Sequence, residues 1–186
     1  TQPEVRELVA GVSGKCYAAL ALLTVVGVLA APALVFVFAP GFRLDGDRFD
    51  LTVDMLRLTF PYIFFISLVA LASGILNSYG RFGLPAFTST LLNVVMIVFA
   101  AWLAPYSSNP GLVLAAGVFV AGVVQLAIQL PALARLGLLA WPRWGWAQEG
   151  VRRIGRLMLP GIFGSSVAQV SLLLDTLIAS FLVTGS

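Results

Sequence analysis

Two long uncharged segments, separated by one short turn, constrain the fold of this chain more than any other feature. No Asp, Glu, Lys or Arg occurs from Phe60 to Ser78 or from Leu84 to Trp102. A helix of that length spans about 28 Å at the α-helical rise, close to the hydrocarbon thickness of a bilayer. Because the turn between them is short and carries only the charge of Arg81, the two segments are predicted to form antiparallel membrane helices.

Composition indicates lipid rather than water as the solvent. The chain is 60% apolar and 10% charged, whereas soluble domains average about 25% charged residues. The single cysteine, Cys16, and the absence of histidine exclude internal disulfides, Cys/His metal clusters and Ser-His or Cys-His nucleophile pairs within this chain. The net charge of +3 does not indicate a nucleic acid partner, because the basic residues lie between apolar segments, as they do in membrane proteins.

The hydropathy pattern predicts an all-α, polytopic membrane bundle with five transmembrane helices. They are predicted at residues 16–38, 59–79, 84–104, 112–133 and 157–183. Residues 1–15 are predicted to form an exposed amphipathic lead-in to the first helix. The chain has no initiator Met and no signal peptide, and it stops directly after an apolar run, so we expect it to be a piece of a longer membrane protein.

Residues 42–57 are predicted to form the first substantial loop, because they contain four acids and three bases. Within this loop Leu51, Met55 and Leu58 recur at helical spacing. That spacing favours an interfacial helix leading into the second span.

The distribution of basic residues predicts the orientation in the membrane. If residues 1–15 are cytoplasmic, the cytoplasmic segments hold eight bases and the outer segments three. The eight are Arg6, Lys15, Arg81, Arg135, Arg143, Arg152, Arg153 and Arg156; the three are Arg43, Arg48 and Arg57. The residue 1 end is therefore predicted to be cytoplasmic, and the residue 186 end to lie on the opposite side.

Asp175 is the one ionisable residue well inside an apolar run. An aspartate at the centre of a membrane helix costs about 2.5–3.5 kcal/mol, so such residues face a protein interior or a wet cavity and find a partner. Ser171 lies one turn before it. A polar row follows on the adjoining face: Ser165, Gln169, Thr176 and Ser180. Three interpretations stay open: a structural pairing, a site for a coupling cation or a proton, and direct contact with a substrate.

Three further polar residues, Asn93, Gln125 and Gln129, are expected to form interhelical hydrogen bonds worth roughly 0.6 kcal/mol each. Small residues in the second and fourth spans are expected to let helices approach closely. The chain contains no pair of carboxylates, phosphate-cradling glycine loop or nucleophile motif, so it is not expected to be an enzyme.

Several segments resemble the MurJ/MviN family of lipid II flippases of the bacterial inner membrane. The motifs that carry the resemblance are Phe60-Pro61-Tyr62, the run from Gly74 to Phe82, Pro85-Ala86-Phe87 and Leu91-Leu92-Asn93. The resemblance implies a two-lobed exporter of about fourteen helices, of which this chain is similar to the third to seventh. It implies that residues 1–134 belong to the N-terminal lobe, that 135–156 form a basic cytoplasmic linker with an amphipathic helix, and that 157–186 begin the C-terminal lobe.

The resemblance also implies a function. It implies that the whole protein flips lipid II, an undecaprenyl-pyrophosphate-linked peptidoglycan precursor, to the periplasmic leaflet by alternating access. The bilayer and cell-wall synthesis proteins are the further partners that it suggests. The arginines that hold the pyrophosphate are expected outside this chain.

For individual residues the resemblance suggests a coupling role and a structural role. No cofactor is expected beyond coupling to sodium, protons or the membrane potential. Asp175, with Ser171, Gln169 and Thr176, is the candidate cation or polar-cavity site, and Asp175 is the candidate sodium ligand. A structural role is expected for Asn77, Arg81, Pro85, Asn93, Pro160 and Gly161.

Two other functions stay open. One is a related exporter of another lipid-linked oligosaccharide. The other is a non-transporting membrane scaffold that recruits partners through residues 134–156. A scaffold should tolerate Asp175→Leu, whereas a coupled transporter should not.

Overall fold

The computed structural model describes residues 2–44, 46–138, 156, 163–167 and 169–175. This part of the chain is helical and contains no strand. The main helices are α1 (Gln2–Phe38), α2 (Gly46–Thr59), α3 (Tyr62–Ser78), α4 (Gly83–Val98) and α5 (Pro110–Arg135). A 3₁₀ turn, Pro40–Leu44, precedes α2, and α4 is extended by a π-helical turn, Phe99–Leu103, and a 3₁₀ turn, Ala104–Tyr106. Residues 163–167 and 169–175 are also helical.

Four helical stretches in the described residues are long and apolar enough to cross a membrane. They are Cys16–Phe38, Gly46–Ser78, Gly83–Tyr106 and Pro110–Arg135, with mean hydropathies of 1.9 to 2.6. They overlap the first four predicted spans, although the second begins at Gly46 rather than at residue 59, and the prediction of a polytopic helical membrane protein is confirmed. Most of the fifth predicted span and of the 135–156 linker lies outside the described residues.

Helix α5 lies at the centre of the bundle and packs against α2, α3 and α4. Its small residues make this close packing feasible, because Ala115, Gly117, Ala121 and Gly122 are all buried. A Cβ added at Gly117 would lie 3.0 Å from Cγ of Phe99. The prediction that small residues of the fourth span mediate packing is therefore confirmed.

The prediction of a loop over residues 42–57 is wrong from Gly46 onward, where α2 begins. Val53 is buried against Ala31 and Val35 of α1. The predicted helix leading into the second span is present, but it begins at Gly46, within the segment that its charges assigned to the loop. Charge content does not show which face a helix buries.

The buried face of α2 also differs from the predicted one. Phe49, Val53 and Leu56 face α1, whereas Leu51 is exposed. Met55 instead lies at the start of α5, where a Cβ added at Gly111 would be 3.0 Å from its sulfur. Helix α2 is thus held between two membrane helices.

The turn between α2 and α3 is held against α1. The ring of Phe60 lies so close to Gly27 that a Cβ at that position would overlap it. Pro61 follows directly, and α3 begins at Tyr62. A side chain at position 27 would therefore displace the point at which the chain enters α3.

Helix α1 is continuous from Gln2 to Phe38, with Pro32 inside it. Gly11 and Gly14 are buried. The prediction of an exposed lead-in over residues 1–15 is therefore wrong at these two positions.

Helices α3 and α5 run parallel and end in the same kind of glycine cap. After α3, Gly80 has a φ of 73° and the Arg81 N–H donates to the carbonyl of Leu76 at 2.9 Å. After α5, Gly137 has a φ of 69° and the Leu138 N–H donates to the carbonyl of Leu133 at 3.1 Å. Both are Schellman-type ends, in which glycine adopts the left-handed conformation at little cost. The cap after α3 makes the short turn that brings α4 back antiparallel.

Candidate functional site

The residues of the predicted cation site are only partly described. Gln169, Ser171 and Asp175 lie on the helical segment 169–175, and all three are exposed. Ser171 and Asp175 are four residues apart and therefore share one face of the helix. Thr176, Pro160 and Gly161 lie outside the described residues.

The large apolar side chains of the same segment are also exposed. Phe163 and Val167 are 73% and 74% exposed, and Leu172, Leu173 and Leu174 are exposed as well. Within the described residues, neither the polar nor the apolar face of this segment is covered. No described basic residue forms an ion pair with Asp175.

The buried polar residues of the described bundle are Gln125 and Gln129 on α5 and Thr88 on α4. Gln129 is fully buried, and its Nε2 donates to Oγ of Ser73 on α3 at 2.9 Å. The Ser73 hydroxyl can donate in return to Gln129 Oε1 at 3.3 Å. One helical turn earlier, Gln125 Nε2 donates to the backbone carbonyl of Thr88 on α4 at 3.0 Å. The two glutamines therefore connect α5 to both of its neighbours, which confirms their predicted interhelical hydrogen bonds.

The side-chain oxygen of Gln125 has no hydrogen-bond partner in the part of the chain that the structure describes. Gln125 is 2% exposed, and its Oε1 accepts no hydrogen bond from the described residues. The hydroxyl of Thr88 donates to its own helix, at Leu84 O and 2.7 Å. This contact therefore satisfies only the donor half of the Gln125 amide.

The remaining predicted structural residues occupy different environments. Pro85 is buried in the first turn of α4. Asn77 and Arg81 are exposed at the α3–α4 turn, where their backbone atoms form the helix end. Asn93 is exposed on α4, and its side chain forms no hydrogen bond with another described residue. The predicted interhelical bond of Asn93 is therefore not found among the described residues.

The structure contains a cleft and a row of aromatic rings that were not predicted from the sequence. The rings of Tyr17 and Phe64 stack edge to face at 4.9 Å, and Phe65 joins Phe64 to Phe119 at 5.5 Å on each side. These contacts connect α1, α3 and α5. Beside them lies a cavity of about 150 Å³, lined mainly by leucines, with Ser13 and Tyr17 at one side. The aromatic residues were visible in the sequence, but their positions there do not identify the partner helix.

The described bundle can donate and accept hydrogen bonds at membrane depth but carries no charge there. The one charged residue between Leu58 and Ala134 is Arg81, at the α3–α4 turn. Among the described residues, no group of three or more His, Cys, Asp or Glu side chains could hold a metal ion. A cation site at Asp175 would therefore need additional ligands.

These features define a class of protein: a multi-pass α-helical membrane protein whose mainly apolar interior, in the described residues, contains two amides and a hydroxyl. The family model described as lipid II flippase MurJ matches residues 1–186, and the chain belongs to that family of transporters.

Curated relatives agree with the family match. The chain is 40% identical to the probable lipid II flippase MurJ of Haemophilus influenzae over 98% of its length, and 43% identical to that of Vibrio cholerae over 98%. It is 45% identical over 90% of its length to the lipid II flippase MurJ of Burkholderia cenocepacia. It spans 37%, 36% and 33% of these three relatives, about a third of their length.

Proposed function

We propose that this chain is part of a longer transporter that moves lipid II from the cytoplasmic to the periplasmic leaflet of the bacterial inner membrane. The observation that carries the proposal is the match of all 186 residues to the lipid II flippase family. The four membrane-length helices agree with it. The excess of basic residues on the side of residue 1 supports a cytoplasmic location for that end.

In this proposal the bundle around α5 moves as one unit. The hydrogen bonds of Gln125 and Gln129 and the close approach at Gly122 join α3, α4 and α5 tightly. Packed helices respond to a conformational change by rotating together rather than by deforming. The unit would rock against the remainder of the transporter, carrying the polar headgroup across while the polyprenyl tail stays in lipid, with no chemical step on the substrate. The cations that hold the pyrophosphate would lie outside this chain.

Asp175 is proposed to hold a coupling cation, either sodium or a proton. A carboxylate with nearby hydroxyl and amide oxygens is a suitable donor set for a hard cation such as sodium. Ser171 lies on the same helical face, and Gln169 and Thr176 are close in sequence. The exposure of Asp175 leaves its carboxylate accessible to ligands from other helices.

Complementation tests both proposals. The full-length gene containing this segment would be expressed in a bacterium depleted of its own lipid II flippase, as the normal protein and as Asp175→Asn and Asp175→Leu. We expect growth with the normal protein and at least a tenfold loss of viable cells with either variant at equal membrane levels. Leu173→Asn, which adds an amide two residues away, is the matched control and should grow.

The other outcomes separate the alternatives. Growth with Asn but not Leu would indicate a polar contact that needs no charge. Growth with both variants would contradict a coupling role for Asp175 and leave the flippase proposal standing. Failure of a well-expressed normal protein would contradict lipid II transport and favour a related exporter or a scaffold.

A further inference from the structure

The side of α4 that packs on α5 can be followed along the helix. Near the start of α4, Pro85 and Thr88 are buried, and Gln125 of α5 donates to the Thr88 carbonyl at 3.0 Å. Three helical turns later, Phe99 lies against Gly117 of α5. The later residue of α4 contacts the earlier residue of α5, so the two helices are antiparallel.

The π-helical turn at the end of α4 changes which residues face α5. In an α-helix, the residues three, four and seven positions after Phe99 would share its side. Those residues are Trp102, Leu103 and Tyr106, yet all three are exposed, Trp102 by 75% and Tyr106 by 90%. The buried residue is instead Ala104, which lies five positions after Phe99 and is 8% exposed.

The hydrogen bonding of the turn explains this change. The N–H of Ala104 donates to the carbonyl of Phe99, five residues back rather than four. Pro105 follows, and it has no N–H to donate, while in a continued α-helix its ring would clash with the carbonyl of Ala101. The turn therefore accommodates one extra residue, which corresponds to a rotation of about 100°. As a result the side chains of the two aromatic residues point away from α5.

The length of α4 places these aromatic residues at a membrane boundary. Helix α4 begins at Gly83, directly after the turn that carries the exposed Arg81. The rise from Gly83 to Trp102 is about 28 Å, close to the hydrocarbon thickness of a bilayer. With Arg81 at one boundary of the hydrocarbon, Trp102 lies at the other.

A charged pair on α2 marks the same boundary independently. Gly111, in the first turn of α5, lies beside Met55 of α2, because a Cβ added to Gly111 would be 3.0 Å from the Met55 sulfur. On either side of Met55, Asp54 and Arg57 form an ion pair at 3.6 Å, and their side chains are 60% and 47% exposed. Exposed charges are costly in hydrocarbon, so the hydrocarbon ends near this level.

Helix α4 reaches that level at its π turn. Gly111 precedes Gly117 along α5, and Phe99 lies against Gly117. Because α4 runs antiparallel to α5, it reaches the level of Gly111 about as many residues after Phe99, near Pro105. The two exposed aromatic residues lie on either side of that proline.

We propose that Trp102 and Tyr106 form an aromatic anchor that binds the headgroup and carbonyl region of the lipid leaflet opposite to Arg81. Each ring has an apolar body that suits the edge of the hydrocarbon and an N–H or O–H that can donate to lipid oxygens. The residues that follow, 107–109, are polar but uncharged, which fits the same region. The anchor goes beyond the proposed transport function and does not depend on it.

Quenching of tryptophan fluorescence tests the depth of the anchor. Full-length protein with every tryptophan except Trp102 replaced by Phe would be reconstituted into phosphatidylcholine vesicles. The vesicles would contain lipid with a nitroxide quencher either near the headgroup or at the end of an acyl chain. We expect the shallow quencher to be at least twice as efficient as the deep one. The matched control, Val94→Trp with Trp102→Phe, moves the tryptophan about 12 Å deeper on an exposed part of α4 and should reverse the order.

The other results of this measurement would overturn the proposal. Equal quenching of Trp102 by both lipids, or stronger quenching by the deep one, would place Trp102 inside the hydrocarbon. Quenching by neither lipid would mean that another part of the protein covers Trp102 or that it lies in water.

Cysteine labelling tests Tyr106 and the effect of the π turn. In a full-length variant with Cys16 and any other native cysteine replaced, single cysteines would be introduced at Tyr106, Ala104 and Arg81. A membrane-impermeant thiol reagent would be added to one side of the membrane at a time. We expect Tyr106→Cys to react at least tenfold faster than Ala104→Cys, and from the side opposite to the one that labels Arg81→Cys.

Two results of the labelling would contradict the proposal. Reaction of Ala104→Cys as fast as that of Tyr106→Cys, or faster, would show that the π turn does not direct Tyr106 outward. Labelling of Tyr106→Cys and Arg81→Cys from the same side would show that the two ends of α4 do not lie at opposite boundaries.

Discussion

The two sides of α3 both contain small and polar residues, but one side is packed against α5 and the other is exposed. On the side that faces α5, Ser73 forms a hydrogen bond with Gln129, and Tyr62 and Phe65 pack against Gly122. On the other side Ala70 and Gly74 are equally small but exposed. Composition alone does not distinguish these sides. A small or polar residue in a membrane helix therefore indicates a contact. Only the position of the neighbouring helices shows whether that contact is made within these residues.

The largest expected effect compares two glycines. A Cβ at Gly122 would lie 2.8 Å from Tyr62 Cδ2 and 2.9 Å from Phe65 Cβ, whereas a Cβ at Gly74 meets open space. Gly122→Ala should therefore lower the free energy of unfolding by about 1–3 kcal/mol through overpacking. Gly74→Ala, the matched control, should change it by less than about 1 kcal/mol. Unfolding of the full-length protein in detergent mixtures would measure both.

Equal effects at the two glycines would contradict the distinction between the packed and open sides. A large loss at Gly74 alone would show that another helix packs more closely on that side of α3 than α3 packs on Gly122 of α5.

The membrane spans were predictable from the sequence because hydropathy is a local property. The polar pairings were not, because helical spacing identifies a face but not its neighbour. Gln129 and Asn93 received the same interpretation, yet Gln129 finds Ser73, 56 residues away, and Asn93 is exposed. Only the arrangement of three helices around α5 separates the two cases.

Helix α2 illustrates the opposite limitation. Its charges led to the prediction of a loop that ends in an interfacial helix, whereas the helix begins at Gly46 and Val53 is buried against α1. The apolar positions that pack against α1 were present in the sequence but were outnumbered by polar ones.

For Asp175 the sequence identified a residue that is costly to place in a membrane, but the described residues do not contain its partner. The role of Asp175 therefore stays a prediction.

An intermediate effect is expected from the hydrogen bond between α3 and α5. Gln129→Leu removes both contacts with Ser73 and should cost about 0.6–1.7 kcal/mol, the range found for hydrogen bonds between membrane helices. A double-mutant cycle with Ser73→Ala isolates the pair, because each single change removes the same interaction. Ser78→Ala, whose hydroxyl bonds only to the carbonyl of Gly74, is the control and should change stability by a few tenths of a kcal/mol. A coupling energy near zero would show that packing, not this pair, joins the two helices.

The smallest effect is expected at Gln125, one turn away from Gln129. Gln125→Met keeps the shape of the side chain, loses the bond from Nε2 to the Thr88 carbonyl, and removes an Oε1 that is buried without a partner. A lost hydrogen bond and a removed desolvation penalty act in opposite directions and are of similar size. The change in unfolding free energy should therefore be within about 0.5 kcal/mol of zero, clearly smaller than for Gln129→Met measured in the same way. A larger loss of stability at Gln125 than at Gln129 would mean that Gln125 Oε1 accepts a hydrogen bond from outside the described residues. Another segment would then pack on α5 in addition to α3 and α4.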